Sequence, residues 1–227
     1  MGSIAIIPAR IGSKRLPKKN IALVNGRPII TYPVDACIAS NLFSEVIVST
    51  DSQEIAQIVE HAGAKVIYRD GYLSGDQASV VEVCLDTINR RAERPDSFCC
   101  VYATFALASA GDLQKSYTRL EEGDFVVGVS EYTKHPYEAL VFEGNKIRRL
   151  FPQHAGLKSQ QYPRSFASNG SIYWAKTDAF LRSKNFIGSS TVPYFVESID
   201  IDTMTDLATL NKFMHERNQR KLSPSGG

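Results

Sequence analysis

The sequence predicts an α/β domain with a doubly wound, mostly parallel sheet. Two observations carry this. Apolar β-type runs alternate with helical patterns of about 10–15 residues, and such spacing implies crossover connections between parallel strands. The second is size: 227 residues fit one large α/β domain.

Taken in order, SIAIIP (3–8) is the first strand candidate. PIITYPVDACIASN reads as a helix starting just after Pro28, because Pro favours the first helical turn. EVIVST is the second strand. Ile55, Ile58 and Val59 form a helical stripe between Ser52 and Ala62, and AKVIYR follows as the third strand. Ser79 to Ala92 is helical, with Val80, Val83, Cys84 and Ile88 on one face. FCCVYA is the fourth strand, AGDLQKSYTRLEEG a helix ending at Gly123, and FVVGVS the fifth strand.

Beyond about residue 130 the alternation breaks. YEALVFEGNKIRRLF reads as a hairpin turning at Glu143-Gly144-Asn145. A polar stretch, PQHAGLKSQQYPRSFASNG, leads to a final strand, SIYWAK. TDAFLRS is a helix capped by Thr177 or Asp178. TVPYF and VESIDID are extended, and MTDLATLNKFMHERNQ closes as a helix. The chain thus divides into a single domain, 1–218, with an insertion at about 131–168 and a flexible Gly/Ser-rich tail, 219–227.

Composition excludes some classes. Hydrophobic residues make up 43% and charged residues 22%, with a net charge of +2. No global basic field calls for a nucleic-acid partner. No apolar run approaches the roughly 20 residues of a membrane span, and no signal-peptide layout is evident. Cys37, Cys84, Cys99 and Cys100 read as core thiols, with Cys99 and Cys100 on opposite strand faces. Such thiols suggest a reducing cytoplasm.

Against that even charge, the loop Ala9–Asn20 is unusual. It leaves the carboxyl end of the first strand, the edge where open parallel sheets bind ligands. It carries Arg10, Lys14, Arg15, Lys18 and Lys19, together with Gly12 and Ser13. Gly lets backbone N–H groups approach an anion, and the cations neutralise it. A triphosphate, with about four negative charges, suits such a loop. The Walker spacing G-x-x-x-x-G-K-[ST] and the dinucleotide fingerprint G-x-G-x-x-G are both absent. A second constellation is Asp200 and Asp202. At i and i+2 on extended chain, both carboxylates face one way, about 6.5–7 Å apart, as suits Mg²⁺ bridged to phosphates. Alternatively Asp202 or Thr203 caps the last helix. Asp51 reads as the cap of the helix after it.

The stretch IIPARIGSKRLPKKNI, with its pattern A-R-x-x-S-K-x-x-P-x-K-N, resembles the signature of the acylneuraminate cytidylyltransferase family, the CMP-sugar-acid synthetases. VIVSTDS, the arginine of VIYRDGYLSGDQAS, CCVYAT, SNGSIYWAK and DIDT occur in the family's order, so the resemblance runs to about residue 215. CCVYAT, IYWAK and the LFPQH between them look most like the pseudaminic acid branch. The resemblance implies joining CMP from CTP to a nine-carbon sugar acid with release of pyrophosphate. The sugar hydroxyl attacks the α-phosphorus directly, so catalysis is positioning and charge neutralisation. A Kdo-type eight-carbon acid and a catalytically silent nucleotide-binding module are the alternatives.

By the same resemblance, Arg10, Ser13, Lys14, Lys19 and Asn20 hold CTP. Arg10, Lys14 and above all Lys19 act in catalysis, with Lys18 or Arg15 as rivals for the role of Lys19. Arg69, Tyr102, Ala103 and Thr104 line the cytidine pocket. Asn169, Tyr173, Gln160 and Arg164 are candidates for the sugar acid; for Gln160 and Arg164 plain solvent exposure is the rival reading. Asp200 and Asp202 are the metal candidates. Phe105-Ala106, where relatives have Ser or Ala then Pro, and Ile11, where Gly is common, depart from the pattern. The resemblance also implies a homodimer formed through the inserted region.

Overall fold

A computed structural model describes residues 2–222. Its centre is a seven-stranded sheet in the order β11-β7-β10-β6-β1-β4-β5. These strands are β1 (Ser3–Ala9), β4 (Phe43–Thr50), β5 (Lys65–Tyr68), β6 (Ser97–Val101), β7 (Phe125–Glu131), β10 (Phe166–Lys176) and β11 (Thr191–Phe195). β1 pairs in parallel with β4 and β6, β4 with β5, and β7 with β11. Only β10 runs antiparallel, wedged between β6 and β7. The predicted doubly wound, mostly parallel class is the observed one.

Alternation along β1 explains why both sheet faces are covered. Ala5, Ile7 and Ala9 join one core, with Val34 of α1 (Thr31–Ser40), Ile55 and Val59 of α2 (Gln53–His61), and Leu113 of α4 (Ala110–Thr118). Leu207 and Leu210 of α6 (Met204–Leu222) close that side. Ile4 and Ile6 join the other core, with Cys84 and Ile88 of α3 (Val80–Asn89) and Phe180 of α5 (Thr177–Ser183). Cys99 belongs to the first core and Cys100 to the second, as the alternation predicts, and all four thiols are buried and unpaired.

Four local predictions are corrected. The helix expected after Pro28 begins at Thr31. Pro28 instead ends a tight hairpin of β2 (Leu23–Val24) and β3 (Arg27–Pro28). Its turn, Asn25-Gly26, has φ of 47° and 79°, the double left-handed conformation that an Asn-Gly pair favours. α5 takes Lys176 as its cap residue, without a side-chain cap bond. Thr177 is already helical and its hydroxyl is buried without a partner. Asp51 does not cap α2; the Ser52 hydroxyl accepts from Ile55 N–H in that role. Finally, SIYWAK is the end of an eleven-residue strand that starts at Phe166.

The chain between β7 and β10 holds a separate two-stranded hairpin, β8 (Leu140–Glu143) and β9 (Lys146–Arg149), joined by Gly144-Asn145. Its Phe142 is 87% and Ile147 62% exposed. At the other end, α6 continues to Leu222, past the boundary expected at 218. Residues 223–227 of the expected tail lie outside the described residues.

Topology places the site. From β1 the chain moves outward to β4 and β5, then returns to the opposite flank of β1 as β6. The order reverses between β1 and β6, and the crevice outside their carboxyl ends is where such sheets bind ligands. The loop 9–20 and the turn 102–104 both leave from that crevice.

Candidate active site

The basic loop is held in shape at several points. The Ile11 amide donates to Asp51 Oδ1 at 2.9 Å, and the Asn20 side-chain amide donates to the Arg10 carbonyl at 2.9 Å. Leu16, 3% exposed, anchors the middle in the core. The Ile11–Asp51 bond accounts for Asp51 at the end of β4: it secures the loop rather than the helix. Lys18, in left-handed conformation at φ 54°, pairs with Glu54 at 2.7 Å.

Around this loop lies a cleft of about 460 Å³, within the usual range for small-molecule sites. Its walls include Arg10, Ser13, Lys14, Lys19 and Asn20 from the loop, and Arg69 just after β5. Tyr102, Ala103 and Thr104 after β6, and Asp202 before α6, complete the set. Ten sequence-predicted residues thus converge on one crevice. Lys18 is absent from the walls; Arg15 is present.

The cations of the cleft are paired with carboxylates. Lys19 Nζ lies 3.0 Å from Asp202 Oδ1, and Arg15 Nη2 lies 2.8 Å from Asp202 Oδ2. Arg10 Nη1 is 2.6 Å and Lys14 Nζ 2.5 Å from the two oxygens of Asp76. Arg69 is only 6% exposed, donates to the Leu73 carbonyl at 3.0 Å and has its Nε without a partner. Burial lowers its pKa, opposed by the charge of Asp51.

Of the two cap candidates, Thr203 and not Asp202 caps α6. The cap belongs to Thr203 and Asp206: the Thr203 hydroxyl accepts from Asp206 N–H at 3.3 Å, and Asp206 Oδ2 accepts from Thr203 N–H at 2.8 Å. Asp202 offers its side chain to the cleft. Ile201, fully buried, separates it from the exposed Asp200. Asp200 is not part of the cleft wall. Its carboxylate flanks Gly170 together with the Tyr102 ring, each within 4 Å of the position a Gly170 Cβ would take. No group of three or more acidic, His or Cys residues suited to a metal occurs among the described residues. Mg²⁺ needs no such group, since one or two carboxylates plus substrate phosphates suffice. Asp202, whose carboxylate lines the cleft, fits that demand, while Asp200 lies outside the wall.

On the base side, the turn 102–106 is closed by Phe105 N–H donating to the Tyr102 carbonyl at 3.0 Å. Phe105, 1% exposed, pins the turn into the core. Tyr102 stacks on Tyr173 with ring centroids 5.3 Å apart, and burial pushes its hydroxyl pKa upward.

The sugar-side candidates are not gathered in the same cleft. Asn169 is committed inside the fold: its amide donates to Ser130 Oγ and to the Val196 carbonyl, and its Oδ1 accepts from Ser171. It braces a bulge where Ser168 to Tyr173 on β10 span only Val129 to Val127 on β7. Tyr173 is 9% exposed and packs in the core behind Tyr102. Gln160 lies in a short 3₁₀ turn, Ser159–Gln161. Arg164 pairs with Glu131 at 2.7 Å, lies over the Phe195 ring and lines a different cavity beside His135 and Tyr162.

One stretch of the wall is not among the residues predicted from the sequence. Asp76 and its neighbours Leu73, Gly75 and Ala78 come from the loop between β5 and α3. The available signal was a carboxylate between Gly75 and polar residues at another strand exit. Asp51, outside the wall, fastens the basic loop where the sequence predicts a helix cap.

A parallel sheet whose switch-point crevice combines five cations with a facing carboxylate defines a nucleotide-binding α/β enzyme of the phosphate-transferring kind. A family model described as "Cytidylyltransferase" matches residues 4–221, and the chain belongs to that family. It is 32% identical to the pseudaminic acid cytidylyltransferase of Campylobacter jejuni, over 95% of this chain and 99% of the relative. It is also 32% identical to the CMP-N,N'-diacetyllegionaminic acid synthase of Legionella pneumophila, over 98% and 100% of the two chains. Among solved structures, a CMP:2-keto-3-deoxy-manno-octonic acid synthetase complexed with CTP shares the fold, with a TM-score of 0.72. That match is 16% identical and covers 96% of this chain and 100% of the other.

Proposed function

We propose that the protein transfers CMP from CTP to a nonulosonic acid of the pseudaminic, legionaminic or sialic type, releasing pyrophosphate. The observation that carries this is the placement of Lys19 and Arg15 against Asp202 across the switch-point cleft, together with relatives named for such sugar acids. The sugar's anomeric hydroxyl oxygen forms a bond to the α-phosphorus and its proton passes to solvent. The bond to the β-phosphate oxygen breaks, and its electron pair leaves with pyrophosphate. No protein nucleophile is needed.

In this reading Arg10, Ser13, Lys14 and Asn20 seat the triphosphate, and Lys19 neutralises charge as pyrophosphate departs. The turn 102–104 and the buried Arg69 hold the base by shape and by donors that are already oriented. Asp202 would hold Mg²⁺, which when bound shields the phosphate charge. Asn169 and Tyr173 act on the sugar side as supports, fixing the bulge and the back of Tyr102. Gln160 and Arg164 reach the sugar acid only from the inserted segment.

The inserted region, 131–168, serves a homodimer in this account. Its hairpin exposes Phe142 and Ile147 without cover from its own chain, and a lone hairpin is marginal in water. Phe142→Asp would then shift the protein to monomer in sedimentation; a wild-type monomer at micromolar concentration would remove the proposal. A cytoplasmic location fits the four unpaired thiols; alkylation under denaturing conditions at cell lysis should find all four reduced. No helix among the described residues is long and apolar enough to cross a membrane.

The functional reading is tested by pyrophosphate release from CTP with a panel of pseudaminic, legionaminic, sialic and Kdo-type acids. Release with a nine-carbon acid is expected. Release with the Kdo-type acid alone would move the substrate class, and release with none would leave a silent module.

A further inference from the structure

Asp76 sits where phosphate is expected. One of its oxygens is 2.6 Å from Arg10 Nη1 and the other 2.5 Å from Lys14 Nζ, so it engages both cations of the upper wall as a bidentate anion would. We propose that Asp76 is a built-in occupant of the polyphosphate site, a positioning residue that pairs with Arg10 and Lys14 and yields them to the nucleotide when it binds. The proposal rests on the cytidylyltransferase reading above and adds a residue that sets affinity for CTP and pyrophosphate.

The loop that carries Asp76 is built for local movement. Its ends are fixed. On one side Arg69 Nη1 donates to the Leu73 carbonyl and Ser74 Oγ donates to the Arg69 carbonyl, both at 3.0 Å. On the other, Ser79 and Glu82 form a capping box that starts α3. Between them, Gly75, Asp76 and Gln77 are exposed. Within this stretch, Gly75 N–H donates to the Tyr72 carbonyl and the Tyr72 hydroxyl to the Gln77 carbonyl. The carboxylate can therefore swing out without disturbing β5 or α3. Hydrogen bonds from Lys14 and Arg10 hold its carboxyl below the usual carboxylate range, so it remains an ionised competitor at neutral pH.

The expected size follows from the exposure of these pairs. Lys14 is 82% and Asp76 38% exposed at the side chain, and exposed pairs are weak and screened by salt. Phosphate, with more charge and more oxygens, displaces such a partner readily. Removing Asp76 raises the positive potential of the cleft and removes the competitor. Binding of a polyanion should then tighten by about three- to tenfold.

The test measures inorganic pyrophosphate binding to the full chain by calorimetry, for wild type, Asp76→Asn and Asp76→Ala, at low and at moderate salt. Both variants are expected to bind pyrophosphate about three- to tenfold more tightly at low salt, with the gain shrinking as salt rises. In steady-state assays KM for CTP should fall by a similar factor. If both variants bind pyrophosphate as the wild type does, or more weakly, Asp76 orders the cations rather than competing for them and the proposal is overturned. Two variants guard against one misfolding, and thermal unfolding identifies that case. Wild-type pyrophosphate binding without turnover on any sugar acid would fault the enzymatic reading, while this comparison of variants would still stand.

Discussion

Lys19→Ala lowers turnover roughly 10²-fold or more, equivalent to about 2.7 kcal/mol of transition-state stabilisation. Lys19 is a loop cation with limited solvent access, its side chain 23% exposed, so its charge acts through a partly dry medium. It spans the cleft to Asp202 at 3.0 Å, which places it between the loop that seats phosphates and the carboxylate that faces them. Lys18→Ala is the matched control. Lys18 ends on Glu54 and takes no part in the cleft wall, so its loss should leave turnover within about twofold, in line with the small worth of an exposed pair. Steady-state rates for the two variants decide this. Near-normal turnover in Lys19→Ala would move the role to Arg15 or Lys14.

Asp202→Asn should be as damaging and should abolish Mg²⁺ dependence along with activity. The substitution keeps the size of the side chain and removes its charge. It leaves Lys19 and Arg15 facing an amide, which accepts weakly from two cations. It also removes the hard oxygen ligand best placed towards the phosphates. Asp206→Asn separates this from damage to α6. Asp206 belongs to the helix start, and hydrogen bonds from Thr203 hold its carboxyl below the usual range. That variant should unfold at lower temperature yet keep its Mg²⁺ titration. A fully active Asp202→Asn enzyme would refute the metal assignment.

The order of strands and helices was legible because apolar periodicity reports burial, and both faces of this sheet are buried. The basic loop was legible because five cations at a strand exit have no structural reason to cluster. β10 was partly hidden, since its first half, Phe166 to Gly170, is polar and bulged and pairs only on the sheet's less regular side. Its antiparallel direction has no signature in the residues themselves. Asn169 illustrates a different limit. Its chemistry suits a sugar, but the β7–β10 bulge satisfies its hydrogen bonds internally, and a side chain's partners follow from tertiary contacts rather than type. Asp76 was missed because a single carboxylate in a Gly-containing loop is commonplace; only folding places it between Arg10 and Lys14. Asp51 shows the same: the predicted cap was one residue away, at Ser52, which released Asp51 to fasten the loop.

The central claim is that cations after β1 and the carboxylate before α6 grip one metal-bound nucleotide between them. A crystal structure of the protein with CTP and Mg²⁺ tests it most directly. The account predicts the triphosphate between Lys14, Lys19 and Asp202, the base against residues 102–104, and Asp76 turned away from Arg10. A nucleotide bound elsewhere, or one whose phosphates touch neither Lys19 nor a metal on Asp202, would contradict it.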